Sequence, residues 1–212
     1  MSANFEAHLD AVFGAQRSGK SCRMKIDTVI AKPPRLMVWD PKHEYSGFGT
    51  VIDDDLPQLA RGVTGHDRFR LVFWPKLSRA AMRRQFDVFC KLANRATNVR
   101  LVVDELGDVT ESNWAPEGWD IVTRQGGHAR LVVQAASQRP AEVDKTFFGN
   151  ATRILSFRLN ADGDLDRISK RMRVPAATIE QLAKLEYFER DMTTGAVVKK
   201  KIGPGELKRM PL

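Results

Sequence analysis

The stretch Gly14-Ala-Gln-Arg-Ser-Gly19-Lys20-Ser21 decides the fold, because it matches the phosphate-loop pattern G-x-x-x-x-G-K-[ST] (Walker A) at every position. The glycines lack a Cβ, so the backbone can wrap around an anion, and the loop's N–H groups form a cradle with the start of the following helix. The lysine can bridge the β- and γ-phosphates of a nucleotide, and the serine hydroxyl can ligate Mg²⁺. We therefore predict a nucleotide-binding site formed by Gly14, Ala15, Gln16, Arg17, Ser18, Gly19, Lys20, Ser21 and the next residue, Cys22.

Short apolar runs alternate with longer amphipathic stretches around this loop. That alternation predicts an α/β fold with a mainly parallel central sheet flanked by helices. The predicted strands are residues 8–15, 35–40, 70–74, 99–104, 130–136 and 151–157, and the predicted helices are 19–31, 53–60, 77–97, 164–172 and 176–185. The C-terminal stretch predicts a β-hairpin (187–191 and 196–201) and a basic tail (203–212). We expect residues 1–160 to form the core and residues 161–212 a small C-terminal helical and hairpin appendage packed on it.

Composition restricts the class of protein. The chain has 212 residues, 42% of them hydrophobic and 28% charged, which excludes a disordered chain and a collagen-like repeat. Two cysteines, Cys22 and Cys90, are too few for a disulfide framework. No apolar run approaches the roughly 18 residues that span a bilayer, so we predict no transmembrane segment, and residues 1–10 show no signal-peptide pattern. The net charge of +8 favours an anionic partner, with nucleic acid as the first candidate.

A second motif, Leu101-Val-Val-Asp104-Glu105, has the form of an apolar strand that ends in an acid (Walker B). Asp104 is expected to hold Mg²⁺ together with Ser21. The carboxylate that follows, Glu105, can polarise an attacking water as a general base. The acidic pair therefore favours hydrolysis of the nucleotide over phosphoryl transfer to a small acceptor.

Three further segments carry a resemblance to a known group of proteins. They are Trp39-Asp40-Pro41-Lys-His-Glu44-Tyr45, Arg124-Gln-Gly-Gly-His128 and Ser137-Gln138-Arg139-Pro140. Together with the Walker motifs they resemble the FtsK–HerA superfamily of DNA-pumping ATPases. The resemblance implies a RecA-like (ASCE) P-loop NTPase fold, in which another strand separates the Walker A strand from the Walker B strand. A chain of this length looks most like the genome-packaging ATPases of tailless, membrane-containing, double jelly-roll viruses.

The resemblance also implies roles for individual residues. Lys20 would contact the phosphates, Glu105 would activate the water, and Gln138 would sense the γ-phosphate. A neighbouring subunit would contribute a catalytic arginine to each site, and its candidates are, in order of preference, Arg124, Arg139 and Arg130. This chain has Gly127 where the superfamily often has an arginine just before the histidine.

The function implied by the resemblance is an ATP-hydrolysing translocase of double-stranded DNA. It would be a viral genome-packaging motor that acts as a homo-oligomeric ring, with a hexamer expected. Its cofactors would be ATP and Mg²⁺, its partners DNA and capsid or packaging-vertex proteins, and its location the host cytoplasm or the virion packaging vertex. Basic clusters at 79–95, 167–173 and 199–201 are candidates for DNA or subunit contact, and each also fits a solvated face.

Three other functions remain open. A Zot-like assembly or export ATPase of filamentous phage would share the phosphate loop, although such proteins usually have a transmembrane helix. A nucleotide-binding switch with little turnover would not need the pair Asp104–Glu105. A P-loop kinase would need a lid and an acceptor pocket, and no basic lid segment is visible. Asp40 and Glu44 are candidates for contact with the adenosine or with a neighbouring subunit, and the alternative is a solvated turn.

Overall fold

The computed structural model describes residues 8–76 and 78–211. Within these ranges the strands are β1 (His8–Phe13), β2 (Arg35–Trp39), β3 (Thr50–Asp53), β4 (Phe69–Trp74), β5 (Arg100–Val103), β6 (Val132–Ser137), β7 (Arg153–Phe157), β8 (Glu186–Asp191) and β9 (Val197–Lys201). They form one sheet in the order β3-β4-β2-β5-β6-β1-β7-β8-β9. The seven strands from β3 to β7 in this order are parallel, and β8 and β9 continue the sheet in antiparallel pairing. The predicted mainly parallel α/β fold is confirmed.

The strand order determines which loops meet. β6 lies between β1, which precedes the Walker A loop, and β5, which precedes the Walker B acids. The expected separation of the two Walker strands by one other strand is therefore confirmed. Because carboxyl ends of parallel strands share one edge of a sheet, the loops after β1, β2, β5 and β6 emerge side by side, where ligands bind in open α/β sheets.

The helices are α1 (Lys20–Ala31), α2 (Leu56–Val63), α3 (Arg79–Ala96), α4 (Glu117–Gln125), α5 (Lys145–Asn150), α6 (Asp162–Met172), α7 (Ala176–Glu180) and α8 (Pro204–Leu207). The helix predicted at 53–60 begins three residues later, because the Asp55 carboxylate caps it by accepting a hydrogen bond from the N–H of Gln58 at 2.8 Å. The helix predicted at 77–97 is α3, whose predicted first residue lies outside the described ranges. β3, α4 and α5 were not predicted.

Two apolar layers enclose the sheet. On one face, α2 to α7 pack their apolar sides against the strands around the aromatic side chains of Trp39, Phe86, Phe89 and Trp119. On the other face, α1 covers the sheet with Met24 and Ile26. β5 is buried along its whole length, as expected for a parallel strand covered on both faces. This burial explains the apolar run Leu101-Val102-Val103, and the buried guanidinium of Arg100 at the start of the strand donates to the side chains of Thr28 and Gln134.

The C-terminal segment joins the same sheet. β8 pairs with β7, and β9 pairs with β8, so the predicted hairpin extends the sheet at its edge. α6 and α7 add Leu165, Ile168 and Ile179 to the main apolar layer. The helix predicted at 176–185 ends at Glu180, and the turn that follows carries Leu185 to the Walker A loop. The division of the chain into two units at residue 160 stays a prediction.

The strand predicted from residue 130 begins later, at Val132, because Arg130 has a left-handed backbone conformation with a φ of 52°. The basic tail contains the short helix α8, and its last residue lies outside the described ranges, as do residues 1–7 at the other end. Among the helices of the described ranges, none combines the length and apolar character that crossing a membrane requires.

Candidate active site

The Walker A loop connects β1 to α1 and is held from both sides. The N–H of Ala15 donates to the carbonyl oxygen of Arg158 at 2.7 Å, and the N–H of Leu185 donates to that of Ser18 at 2.9 Å. Gly19 has a φ of 124°, and a Cβ there would lie 2.9 Å from the Phe157 ring. The backbone conformation and this close packing together require glycine at the start of α1.

Lys20 provides the buried positive charge of the loop. Its side-chain ammonium donates to the carbonyl oxygens of Gly14 and Ala15 at 2.6 and 3.0 Å, and the residue is 6% exposed. Burial lowers the pKa of Lys20 to about 8, although the nearby Glu105 opposes the shift. The buried hydroxyl of Ser18 has no hydrogen-bond partner among the described residues. Phosphate oxygens would satisfy both groups, so the loop fits the nucleotide predicted for it.

Asp104 follows β5 and is 1% exposed. Its backbone N–H donates to the carbonyl oxygen of Trp39 at 3.1 Å, which fixes the residue beside the end of β2. Burial raises the pKa of Asp104 to about 6. Its Oδ2 atom is buried and has no hydrogen-bond partner in the described part of the chain. An orphaned carboxylate oxygen next to the Walker A loop fits Mg²⁺, which prefers oxygen ligands, and the Ser21 hydroxyl would be the other protein ligand.

Glu105 is 8% exposed and has a left-handed backbone conformation, with a φ of 59°. Its Oε2 atom accepts hydrogen bonds from the ammonium of Lys42 at 2.8 Å and from the side-chain amide of Gln138 at 2.7 Å. Its Oε1 atom accepts from the backbone N–H of Gln138 at 3.0 Å. Burial opposes ionisation, but Lys42 and these hydrogen bonds outweigh it, so the pKa of Glu105 lies below its usual range. The carboxylate is therefore kept ionised, as a general base requires.

The Walker A loop lines a cavity of about 470 Å³, and Asp104 and Glu105 lie behind its lining. The cavity is lined by Gln16, Arg17, Ser18, Gly19, Lys20, Ser21 and Cys22 together with Lys42, Glu44, Gln138, Lys184 and Leu185. The structure thus brings the predicted Walker A residues and Gln138 together, and Glu105 contacts two of the lining side chains. Gly14 and Ala15 take part through the carbonyl oxygens that hold Lys20.

Sequence reasoning missed Lys42. It lies inside the segment Trp39–Tyr45 that carries the resemblance, but only the adjacency of β2 and β5 brings its ammonium to Glu105. Asp40, in the same segment, is fully buried, and its carboxylate accepts hydrogen bonds from backbone N–H groups of its own loop. Glu44 lines the cavity, and its Oε2 atom lies 3.7 Å from the Nζ atom of Lys25.

The three candidate arginines lie outside the lining of this cavity. Arg124, at the end of α4, donates to Asp120 at 2.7 Å and to the hydroxyl of Thr146 at 3.3 Å, and it lines a separate cleft. Arg139 donates to the buried carboxylate of Asp164 at 2.9 Å. Arg130 is exposed. An arginine that acts on a neighbouring subunit need not reach its own nucleotide, so the role of Arg124 stays a prediction.

The topology and the Walker loops define a RecA-like P-loop NTPase fold of the ASCE type. No protein-family model matches the chain. The sequence is 27% identical to Protein P9 of Pseudoalteromonas phage PM2 over 139 residues, which are 64% of this chain and 61% of that protein. The match therefore spans less than two thirds of the phage protein's length.

Solved structures share the fold. The genome packaging NTPase B204 from Sulfolobus turreted icosahedral virus 2 superposes with a TM-score of 0.74 at 19% identity, over 95% of this chain and 100% of that chain. VirB4 of Thermoanaerobacter pseudethanolicus gives 0.71 at 12% identity, over 98% and 93%. The resemblance to packaging ATPases and to the FtsK–HerA type is thus confirmed as a similarity of fold. The N-terminal domain of zonular occludens toxin from Neisseria meningitidis gives a lower TM-score, 0.53, at 12% identity over 97% and 100%.

Proposed function

We propose that this chain is an ATPase that translocates double-stranded DNA, as the genome-packaging motor of a virus. The observation that carries the proposal is that Lys20 and Gln138 line one cavity at the carboxyl edge of the sheet, and that Gln138 donates a hydrogen bond to Glu105 directly behind it. The likeness in fold to the genome packaging NTPase B204 supports packaging as the setting. B204 has been crystallised with AMPPCP and with ATP-gammaS, which supports ATP as the nucleotide.

Each residue of the site has a chemical role in this proposal. Lys20 exchanges its loop carbonyls for phosphate oxygens, and Glu105 accepts a proton from the attacking water. Ser21 and Asp104 would hold Mg²⁺, which would supply positive charge to offset that of the phosphates. Gln138 bonds to Glu105 and lines the cavity, so it can report the state of the γ-phosphate to the base.

A homo-oligomeric ring, with a hexamer expected, accounts for features that a monomer leaves unused. Arg124 lies outside the cavity of its own chain, and in the assembled ring it would exchange its contacts with Asp120 and Thr146 for the nucleotide of a neighbour. The net charge of +8 suits a surface that meets DNA phosphates without reading sequence. Capsid or packaging-vertex proteins would be the further partners, at the virion vertex or in the host cytoplasm.

One experiment tests this proposal. ATP hydrolysis is measured with and without double-stranded DNA, and the mass of the assembly is determined in the same buffer. We expect a ring that hydrolyses ATP and loses this activity when EDTA removes Mg²⁺. Its affinity for DNA should fall as the salt concentration rises. An assembled ring without ATPase activity in the presence of DNA would reject the motor. Nucleotide binding without turnover would favour a switch, and turnover without DNA binding would favour a Zot-like assembly ATPase.

A further inference from the structure

The loop between β2 and β3 is fixed by one buried carboxylate. Asp40 accepts hydrogen bonds from the backbone N–H groups of residues 44 and 45, each at 2.9 Å, and from the indole N–H of Trp74 at 3.1 Å. His43 has a φ of 57°, and its ring stacks on Trp74 with 4.0 Å between the ring centroids. These contacts hold the backbone on both sides of Lys42. The Lys42 side chain therefore extends from a backbone whose position is fixed.

Lys42 contacts the catalytic base directly. Its ammonium lies 2.8 Å from Oε2 of Glu105, and Gln138 donates both to this oxygen and to Oε1. An ionised carboxylate only accepts hydrogen bonds, so the donors occupy lone pairs that a water molecule would otherwise use. With Lys42 in this position, Glu105 is less available to take a proton from water.

Lys42 also faces the nucleotide cavity. It lines the same cavity as the Walker A residues 16–22, and its side chain is 36% exposed, so it has space to move. Its charge is close enough to Lys20 for the two ammonium groups to repel each other. An anion placed between them would offset this repulsion. A γ-phosphate carries more negative charge than one carboxylate and would compete with Glu105 for Lys42.

We propose that Lys42 contacts the γ-phosphate of a bound nucleoside triphosphate, and that it leaves Glu105 to do so. Binding of a triphosphate then releases Glu105 from Lys42, so the base becomes available when a bond to the γ-phosphate is present to be hydrolysed. A diphosphate lacks the competing group, so Lys42 stays on Glu105. This inference rests on the proposed function, because it assigns Lys42 to the same nucleotide site.

The test compares two nucleotides in equilibrium binding with Mg²⁺ present. ADP ends at the β-phosphate, and AMPPCP carries a γ-phosphate across a bridge that resists hydrolysis. In Lys42→Met, we expect the affinity for AMPPCP to fall about tenfold and that for ADP to change less than twofold, because one charged hydrogen bond is lost. Lys42→Arg should retain most of the preference. The matched control is Lys76→Met, since Lys76 also lies 2.8 Å from a carboxylate, that of Asp54, away from the cavity.

A second variant tests the exchange of partners. Glu105→Gln removes the charge that competes for Lys42, so AMPPCP should bind several-fold more tightly in this variant. The gain should disappear when Lys42→Met is combined with it, because the effect passes through Lys42. Thermal melting followed by circular dichroism checks that each variant is folded, so that a change in nucleotide affinity is not caused by unfolding.

The outcomes separate the two proposals. Equal loss of ADP and AMPPCP affinity in Lys42→Met, or no loss of either, overturns the role of Lys42 while wild-type ATPase activity leaves the proposed function intact. A gain from Glu105→Gln that persists without Lys42 overturns the exchange. Wild-type protein that binds neither nucleotide overturns the proposed function together with this inference.

Discussion

Glu105 and Gln138 are joined by two hydrogen bonds, one from the backbone N–H of Gln138 at 3.0 Å and one from its side-chain amide at 2.7 Å. The first residue follows β5 and the second follows β6, which are adjacent parallel strands. The proposed base is therefore tied to the residue expected to sense the γ-phosphate, and a shift of Gln138 would move or release Glu105. This pair gives the site a physical route from nucleotide state to base position.

The role of the base is tested by Glu105→Gln, which keeps the shape of the side chain and removes its charge. We expect ATP turnover to fall about 10²–10⁴-fold, because a neutral amide cannot accept the proton of water. Nucleotide binding should remain, as the phosphates contact other residues. A steady-state phosphate-release assay beside a binding titration measures both. Glu111→Gln is the control, since Glu111 pairs with Arg83 on the surface. Near-normal turnover in Glu105→Gln would exclude Glu105 as the base.

Lys20→Ala should abolish ATP hydrolysis by a different route. The variant removes the buried ammonium that now bonds to the carbonyl oxygens of Gly14 and Ala15. ATP affinity should fall along with turnover, because each hydrogen bond to a charged group contributes about 1.5–3 kcal/mol. Isothermal titration with ADP and AMPPCP measures the loss. If turnover vanished while both affinities stayed unchanged, Lys20 would act only in the transition state.

The Walker motifs could be predicted because their chemistry lies in contiguous residues. Likewise, the buried strands carry short apolar runs, such as residues 101–103 of β5. The missed elements lack such patterns. β3 is a four-residue edge strand in which only Ile52 is buried. The first turn of α4 contains Gly118, where a Cβ would lie 2.3 Å from the carbonyl oxygen of Asp87. Glycine is required at this position by the close packing of α4 on α3, which local helix propensity does not reveal.

The contact between Lys42 and Glu105 could not be predicted for a related reason. The two residues are 63 positions apart, and they meet because β2 and β5 are neighbours in the sheet although β3 and β4 come between them in the chain. Strand order of this kind depends on crossover connections that composition and periodicity do not specify.

Asp40 is tested by Asp40→Ala. Its carboxylate is buried and accepts three hydrogen bonds, so its removal leaves three donors without a partner. We expect unfolding to become easier by about 2–4 kcal/mol, which thermal melting would detect. Asp53→Ala, at an exposed carboxylate at the end of β3, should change little. An unchanged melting temperature would contradict this structural role, and the full burial of Asp40 already argues against both the solvated turn and the contact with adenosine or a neighbouring subunit.

The arginine in trans is tested by mixing inactive subunits. Arg124→Ala alone and Glu105→Gln alone should each lose most activity, since a trans arginine contributes about 10³–10⁵ to turnover. In an equal mixture, about a quarter of the interfaces would combine an intact Glu105 with an intact Arg124 from the neighbour, so activity should return. Lys20→Ala mixed with Glu105→Gln is the control, because both residues serve the same chain's site and no interface regains both. Absence of rescue in the first mixture would exclude Arg124, and the same assay then applies to Arg139 and Arg130.

If the chain binds DNA as proposed, we expect Arg173, at the end of α6, to contact it. Arg171, Arg173 and Arg190 form a cluster in which no carboxylate of the described residues pairs with any of them, and burial together with the other two charges lowers the pKa of Arg190. By contrast, Lys200 of the neighbouring β9 is paired with Glu189 at 2.9 Å. Arg171 and Arg190 donate to main-chain carbonyl oxygens, whereas Arg173 is exposed, so its guanidinium is the most available of the three for a phosphate.

Arg173→Gln should therefore weaken binding of double-stranded DNA several-fold at low salt. It should also reduce the slope of log affinity against log salt concentration by about 0.9, the value for one lost phosphate contact. Fluorescence anisotropy over a series of salt concentrations measures both quantities, and Lys200→Gln serves as the charge-matched control. An equal change in the two variants would mean that binding follows net charge alone, whereas a smaller slope in Arg173→Gln alone would place a phosphate at the end of α6.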